Sequence, residues 1–261
     1  MILSYSKNFI FLHSRKTAGT SLAVLLAQVL KEEDIMLGCW EHAYKHFGFP
    51  ITRKILDLAK KQLVYYLVYC LRNKIRGRDF SLNSKQVNSL VKRYYKNKYR
   101  LIGTHSSASS VRNFCPDLWH QAFKFAFVRN PWDHAVSDYY WRLKGSKKSD
   151  TSFKEFLFLL DQPKKSDPNK MRPPIITNWS VYTIDDEISV DYVGRYEDLQ
   201  DDFNKISKYI GLEPTEILIK AKGNFRDRSR SLGSHYDEES IELVRKIYQK
   251  EIDEFNYKLP F

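Results

Sequence analysis

Residues 9–22, reading Phe-Ile-Phe-Leu-His-Ser-Arg-Lys-Thr-Ala-Gly-Thr-Ser-Leu, leave this chain few folds to choose from. Phe9 to Leu12 is an apolar run of strand length. His13, Ser14, Arg15 and Lys16 then turn the chain. Gly19 marks a place where the backbone bends sharply or approaches something closely. Thr20 and Ser21 open a helix, and Leu22, Leu25, Leu26, Val29 and Leu30 give it an apolar face. A strand, a loop with Lys, Thr and Gly, and then a helix is the layout of an anion site. N–H groups at the helix start and the helix dipole both favour negative charge there. The hydroxyls of Thr17, Thr20 and Ser21 add donors, and Lys16 adds a point charge. The same layout also serves as a plain strand-to-helix turn. A Walker A loop requires Gly directly before the Lys; position 15 is Arg, so this is not that loop.

A second stretch repeats the theme. Phe123 to Trp132, Phe-Lys-Phe-Ala-Phe-Val-Arg-Asn-Pro-Trp, reads as a strand ending in Arg129, with Pro131 opening a helix. Ser137 and Tyr140 follow on that helix. Together the two stretches resemble the sulfotransferase family, nearest to its carbohydrate (polysaccharide) branch. Lys16 to Leu22 looks like the family's 5′-phosphosulfate loop. Phe-Val-Arg-Asn-Pro-Trp, with Ser137 eight residues beyond Arg129, looks like its 3′-phosphate motif. The family usually has Pro before the loop lysine, where this chain has Arg15.

The resemblance implies 3′-phosphoadenosine 5′-phosphosulfate as sulfuryl donor. It implies that Arg15, Lys16, Thr17, Gly19, Thr20 and Ser21 hold the phosphosulfate, and Arg129 and Ser137 the 3′-phosphate. Tyr196, in Gly-Arg-Tyr-Glu-Asp-Leu, resembles an adenine contact; a core tyrosine is its other reading. Arg230, in Arg-Ser-Arg-Ser-Leu-Gly, falls where the family often places a second 3′-phosphate ligand. His105 precedes the 3′-phosphate motif, as the catalytic histidine does in related carbohydrate sulfotransferases. It is expected to end a strand over 100–105, and neutral imidazole is a competent base. A hydrogen-bonded core histidine is the alternative, with His42, His46 and Glu41 in reserve as bases. His13, beside the loop, reads as structural. Lys16 is expected to be catalytic, meeting charge that develops on the leaving phosphate. Fixed cations can do this without a metal, and no clustered carboxylates or His/Cys set suggests one.

The 261 residues suit one α/β domain spanning 1–261. Strands separated by helices predict a central, largely parallel sheet flanked by helices, with strand C-terminal ends forming the ligand edge. The resemblance adds that this fold is P-loop-like. Met1 to Leu3 reads as part of the first strand. Further helices are expected over 152–160, 198–210 and 238–255, a mobile loop over 161–174 and a last strand over 191–196.

Charge adds one feature. Of the net +12, all resides in residues 53–100, where fourteen Lys and Arg face two Asp; the rest balances, 29 against 29. Residues 51–98 read as a helical basic insertion, with its apolar stretch 63–71 buried. Either it covers the sheet with a solvated basic face, or it meets an acidic glycan or an anionic membrane at the periphery. No zinc-finger spacing or RNA-binding aromatic motif points to nucleic acid. Three scattered cysteines (Cys39, Cys70, Cys115), no signal-peptide pattern and no apolar run of ~20 residues predict a cytoplasmic protein. The functional expectation is transfer of sulfuryl to a carbohydrate or glycolipid hydroxyl. A kinase-like phosphoryl transferase and a non-catalytic anion- or membrane-binding protein are the alternatives.

Overall fold

The computed structural model describes residues 1–39, 42, 43, 46, 71, 72, 75, 103–145, 150–213, 216 and 230–261. Most of the expected basic insertion, Glu41 and the 100–102 part of the expected strand lie outside them. Within the insertion, Leu71 and Ile75 are helical and exposed, so the apolar stretch ends on a solvent-facing residue rather than a buried one.

A five-stranded sheet forms the centre, in the order β3-β1-β2-β4-β7. β2 (Phe9–Phe11), β4 (Phe123–Val128) and β7 (Tyr192–Arg195) are parallel neighbours. Phe9, Ile10 and Phe11 are all buried, as expected of a strand covered on both faces. β1 (Ile2–Ser4) makes the sheet mixed at one side of this parallel centre. It is a strand of its own, antiparallel to β2 and to β3 (Ile35–Met36). The reason is the short Tyr5–Asn8 turn: so few residues can reverse a chain but cannot make a parallel crossover. Buried Asp34 fixes that turn by accepting from the Ser6 N–H at 2.9 Å and the Lys31 N–H at 2.8 Å.

α1 (Gly19–Ala27) follows β2 and is buried along almost its whole length. α2 (Ala108–Phe114), capped by Ser107, and α3 (Pro116–Gln121) lead into β4. α4 (Pro131–Gly145) begins on its proline, pre-set for the first helical turn. α5 (Phe153–Asp161) carries a capping box between Ser152 and Glu155. The stretch after it, expected to be mobile, is cross-tied. Arg172 donates to the carbonyls of Leu159, Gln162 and Lys165, and Met171 is wholly buried.

Then comes α6 (Trp179–Tyr182), which opens a hairpin that the sequence reading did not foresee, β5 (Thr183–Ile184) and β6 (Glu187–Ile188). Its turn residues, Asp185 and Asp186, both take the positive φ that a tight hairpin turn requires. α7 (Leu199–Tyr209) ends before Gly211 at φ +65°. The last expected helix is two, α8 (Glu238–Ile247) and α9 (Gln249–Phe255), broken where the buried Tyr248 ring packs 5.4 Å from His134. No described helix is long and apolar enough to cross a membrane.

Candidate functional site

The site lies where β2, β4 and β7 end. Leu12 N–H still reaches the Phe125 carbonyl at 2.9 Å, after which the chain leaves the sheet. Two non-glycine residues of the following loop have positive φ, Lys16 at 61° and Ala18 at 57°. Each such residue costs roughly 1–2 kcal/mol, so the surroundings must impose it. The Asn178 amide bonds both backbone polar groups of Arg15, accepting at 2.8 Å and donating at 3.0 Å. Thr17 Oγ1 donates to the Ser14 carbonyl at 3.2 Å. Arg129 Nη1 donates to the Lys16 carbonyl at 2.8 Å. The Ala18 carbonyl accepts from Ser21 N–H at 2.8 Å and Leu22 N–H at 3.2 Å, which starts α1.

Ala18 is therefore the N-cap of α1, and no side chain caps the helix or places an acid in its first turn. The positive end of the helix dipole favours negative charge at this turn. Gly19 is required by close approach: a Cβ there would lie 2.2 Å from His13 Cδ2. His13 is buried and stacked on Phe11, ring centroids 5.5 Å apart. Thr17 and Ser21 are buried and Thr20 half-buried at the same turn.

Arg129 connects this loop to the second motif. It follows β4 as Tyr196 follows β7, and Val128 pairs with Arg195 in register. The two residues are thereby delivered side by side, with the guanidinium 4.0 Å over the Tyr196 ring. Arg129 Nη1 also donates to Ser137 Oγ at 3.2 Å, and Nε to Asp133 Oδ2 at 2.8 Å. Lys16 Nζ sits 5.0 Å from the ring centre of Trp141, one turn beyond Ser137 on the same face of α4. The structure thus brings together Lys16, Arg129, Ser137 and Tyr196, four residues picked out by sequence.

His105 stands in a turn after Gly103, whose φ is +107°, rather than at the end of a strand. Its Nδ1 lies 2.6 Å from the His13 carbonyl, and the two imidazoles meet edge-on at 4.8 Å. A carbonyl only accepts, so Nδ1 carries the proton and Nε2 is the basic nitrogen of the neutral ring. Its neighbour His13 in turn abuts Gly19, which places His105 beside the loop. His42 and His46 are each helical, and His46 is exposed. Arg230 is exposed, close enough to Tyr139 for its charge to oppose the burial that pushes the phenol up.

Arg15 is committed inside the protein. Its guanidinium donates to Asp138 at 2.5 Å and to the Ile175 carbonyl. Asp138 is fully buried. Burial alone would push its carboxyl up, but the Arg15 charge overrides this and holds it below the usual range. His134, a turn before it, is pushed down to about 3 by burial, helped by the charges of Arg15, Arg129 and Lys16, and stays neutral.

Sequence reasoning missed Asp133, Asp138, Trp141 and Asn178. Asp133 had a signal, since it lies four residues after Arg129 and pairs with it on the first turn of α4. Asn178 had none, being 163 residues from its partner. Among the described residues no group of three or more His, Cys, Asp or Glu is arranged to hold a metal.

An uncharacterized protein of Archaeoglobus fulgidus is 32% identical over 114 residues, covering 41% of this chain and 82% of that protein. No solved structure matches. The sulfotransferase family model matches residues 1–258, nearly the whole chain and both strand-to-helix turns described above. The chain therefore belongs to the sulfotransferase family.

Proposed function

We propose that this enzyme moves a sulfuryl group from 3′-phosphoadenosine 5′-phosphosulfate to a hydroxyl of a carbohydrate or glycolipid by in-line displacement. The observation that carries this reading is the Arg129 guanidinium, which bonds the Lys16 carbonyl and the Ser137 hydroxyl at once. One cation thereby sets the spacing between two anion sites, as a donor with a phosphosulfate at one end and a 3′-phosphate at the other demands. The scaffold reads as a P-loop-like single domain over 1–261, with strand, strained loop and uncapped helix forming the first site.

The residues divide the work by their positions. The Thr17–Ser21 turn and the start of α1 hold the phosphosulfate. Arg129 and Ser137 hold the 3′-phosphate, and Tyr196, its ring beside Arg129, lies against the base. Arg230, exposed near Tyr139 of α4, serves as a second 3′-phosphate ligand. His105 Nε2 takes the proton from the acceptor hydroxyl as the new O–S bond forms. The S–O bond to the phosphate breaks, and the charge gained by that phosphate meets Lys16 Nζ and the loop N–H groups. These cations supply the charge compensation, so no metal enters. The basic 53–100 segment favours an acidic acceptor, or an anionic membrane that carries one, for an enzyme working in the cytoplasm.

Thermal unfolding tests the reading, because a ligand bound only by the folded state raises Tm. Adenosine 3′,5′-bisphosphate should stabilise the protein and ATP should not. The reverse order would point to phosphoryl transfer, and no effect from either to a non-catalytic binding protein. Transfer of labelled sulfate to a panel of glycans and glycolipids then identifies the acceptor.

A further inference from the structure

Arg15 is gripped from three directions. The Asn178 side chain spans both its backbone groups, accepting from N–H at 2.8 Å and donating to C=O at 3.0 Å. This is the two-bond pattern that one strand offers another, made here by an amide side chain. The guanidinium is held by Asp138 and by the Ile175 carbonyl. Asn178 is 4% exposed and Asp138 0%, so neither has water as a substitute partner. The grip lies beside α9, where the backbone N–H groups of Asn178 and Trp179 are close enough to the buried Glu251 carboxyl to oppose the upward push of burial on it.

The next residue is Lys16, at φ 61°. Its own carbonyl is held by Arg129. With the residue before it and the carbonyl after it both fixed, the direction of the Lys16 Cα–Cβ bond is set. The side chain is thereby aimed along the face of Trp141, where Nζ is found.

We propose that Asn178 and Asp138, acting through Arg15, are positioning residues for the Lys16 ammonium in sulfuryl transfer. The proposal rests on the reading of the 13–21 loop as the donor site. Neither residue bonds the Lys16 side chain; they act through the backbone. A non-glycine residue at positive φ relaxes once the bonds imposing it are removed. Relaxation at Lys16 swings the Cα–Cβ vector and carries Nζ away from the transferring group. A misplacement of about 1 Å costs roughly 10²-fold in rate.

A double-mutant cycle tests this. Asn178→Ala and Asp138→Asn are each made in the parent and in Lys16→Ala, with Asn178→Gln and Asp138→Glu as milder variants should the first pair fold poorly. Turnover is normalised to sites titrated with adenosine 3′,5′-bisphosphate, so unfolded protein is not counted. In the parent background kcat should fall about 10²-fold, against a donor KM change of only a few fold. In Lys16→Ala the same substitutions should change kcat by no more than about twofold, since no ammonium remains to be positioned. Asp138→Glu should recover much of what Asp138→Asn loses. Equal losses in the two backgrounds, or kcat unchanged in the parent background, would overturn the proposal while leaving the donor-site reading intact. A parent that neither binds the bisphosphate nor transfers sulfate would instead refute that reading, and the positioning role with it.

Discussion

Replacing Arg129 with alanine probes the centre of the site. Its side chain is only 11% exposed, so water does little to screen it. Two charge-assisted bonds from a guanidinium to a phosphate are each worth about 1.5–3 kcal/mol. Asp133 already shares the guanidinium, at 2.6 Å from Nη2, and a bound phosphate must compete with it. That competition removes about 1 kcal/mol from the sum, leaving an expected loss of about 2–5 kcal/mol for Arg129→Ala. At 1.4 kcal/mol per decade this is about a 30- to 4,000-fold rise in the Kd of adenosine 3′,5′-bisphosphate. Isothermal calorimetry reads it directly. Arg129→Lys keeps the charge but not the planar fork, and it cannot hold the Lys16 carbonyl, Ser137 and a phosphate together. Its affinity should fall between parent and alanine variant. Equal affinity of parent and Arg129→Ala would remove Arg129 from the 3′-phosphate site and return it to an internal bridge between loop and helix.

Lys16→Ala should lower turnover more than it weakens the bisphosphate complex, since the ammonium works on charge that appears only in the transition state. His105→Ala should lower turnover by about two to four orders of magnitude with bisphosphate binding retained; near-parental turnover would move the base to His42, His46 or Glu41. Burial raises the Glu251 carboxyl to about 7, above its unfolded value of about 4.3. The stability it contributes is therefore fully present below pH ~4.3 and is lost as pH rises through about 7. Glu251→Gln should accordingly raise Tm at pH 8 but not at pH 4, and a gain that does not vary with pH would refute the burial argument. Changing Arg76, Arg78 and Lys85 to Glu should raise acceptor KM and leave bisphosphate affinity nearly unchanged. The parent's acceptor KM should also rise with salt, as charges are screened over ~8 Å at physiological ionic strength; insensitivity to both would make the segment a solvated cover.

The local features of the site were legible in the sequence because local features need no distant partner. The apolar run Phe9 to Leu12, the hydroxyls at 17, 20 and 21, and Pro131 after Arg129 act within a few residues of themselves. They mark where strands end and helices begin. Ser137 could be paired with Arg129 by resemblance to the family's 3′-phosphate motif, and α4 then brings its hydroxyl back to the guanidinium. Tyr196 could be picked out by resemblance, yet what sets it beside Arg129 is the parallel register of Val128 with Arg195.

Tertiary structure alone decided the rest. That β1 runs antiparallel followed from a short turn, which apolar patterning does not register. That Gly19 answers to the His13 ring, and not to a bend, depended on where a buried side chain came to lie. Arg15 entered the expected phosphosulfate set with the loop that the resemblance covers. Folding supplied Asp138 and Asn178 from 123 and 163 residues away, and a buried guanidinium goes to a buried carboxylate. Sequence fixes which groups are available, through short-range propensities that act residue by residue. Their assignment to partners is decided when distant segments are desolvated together, because only then does each buried donor and charge have to find its match.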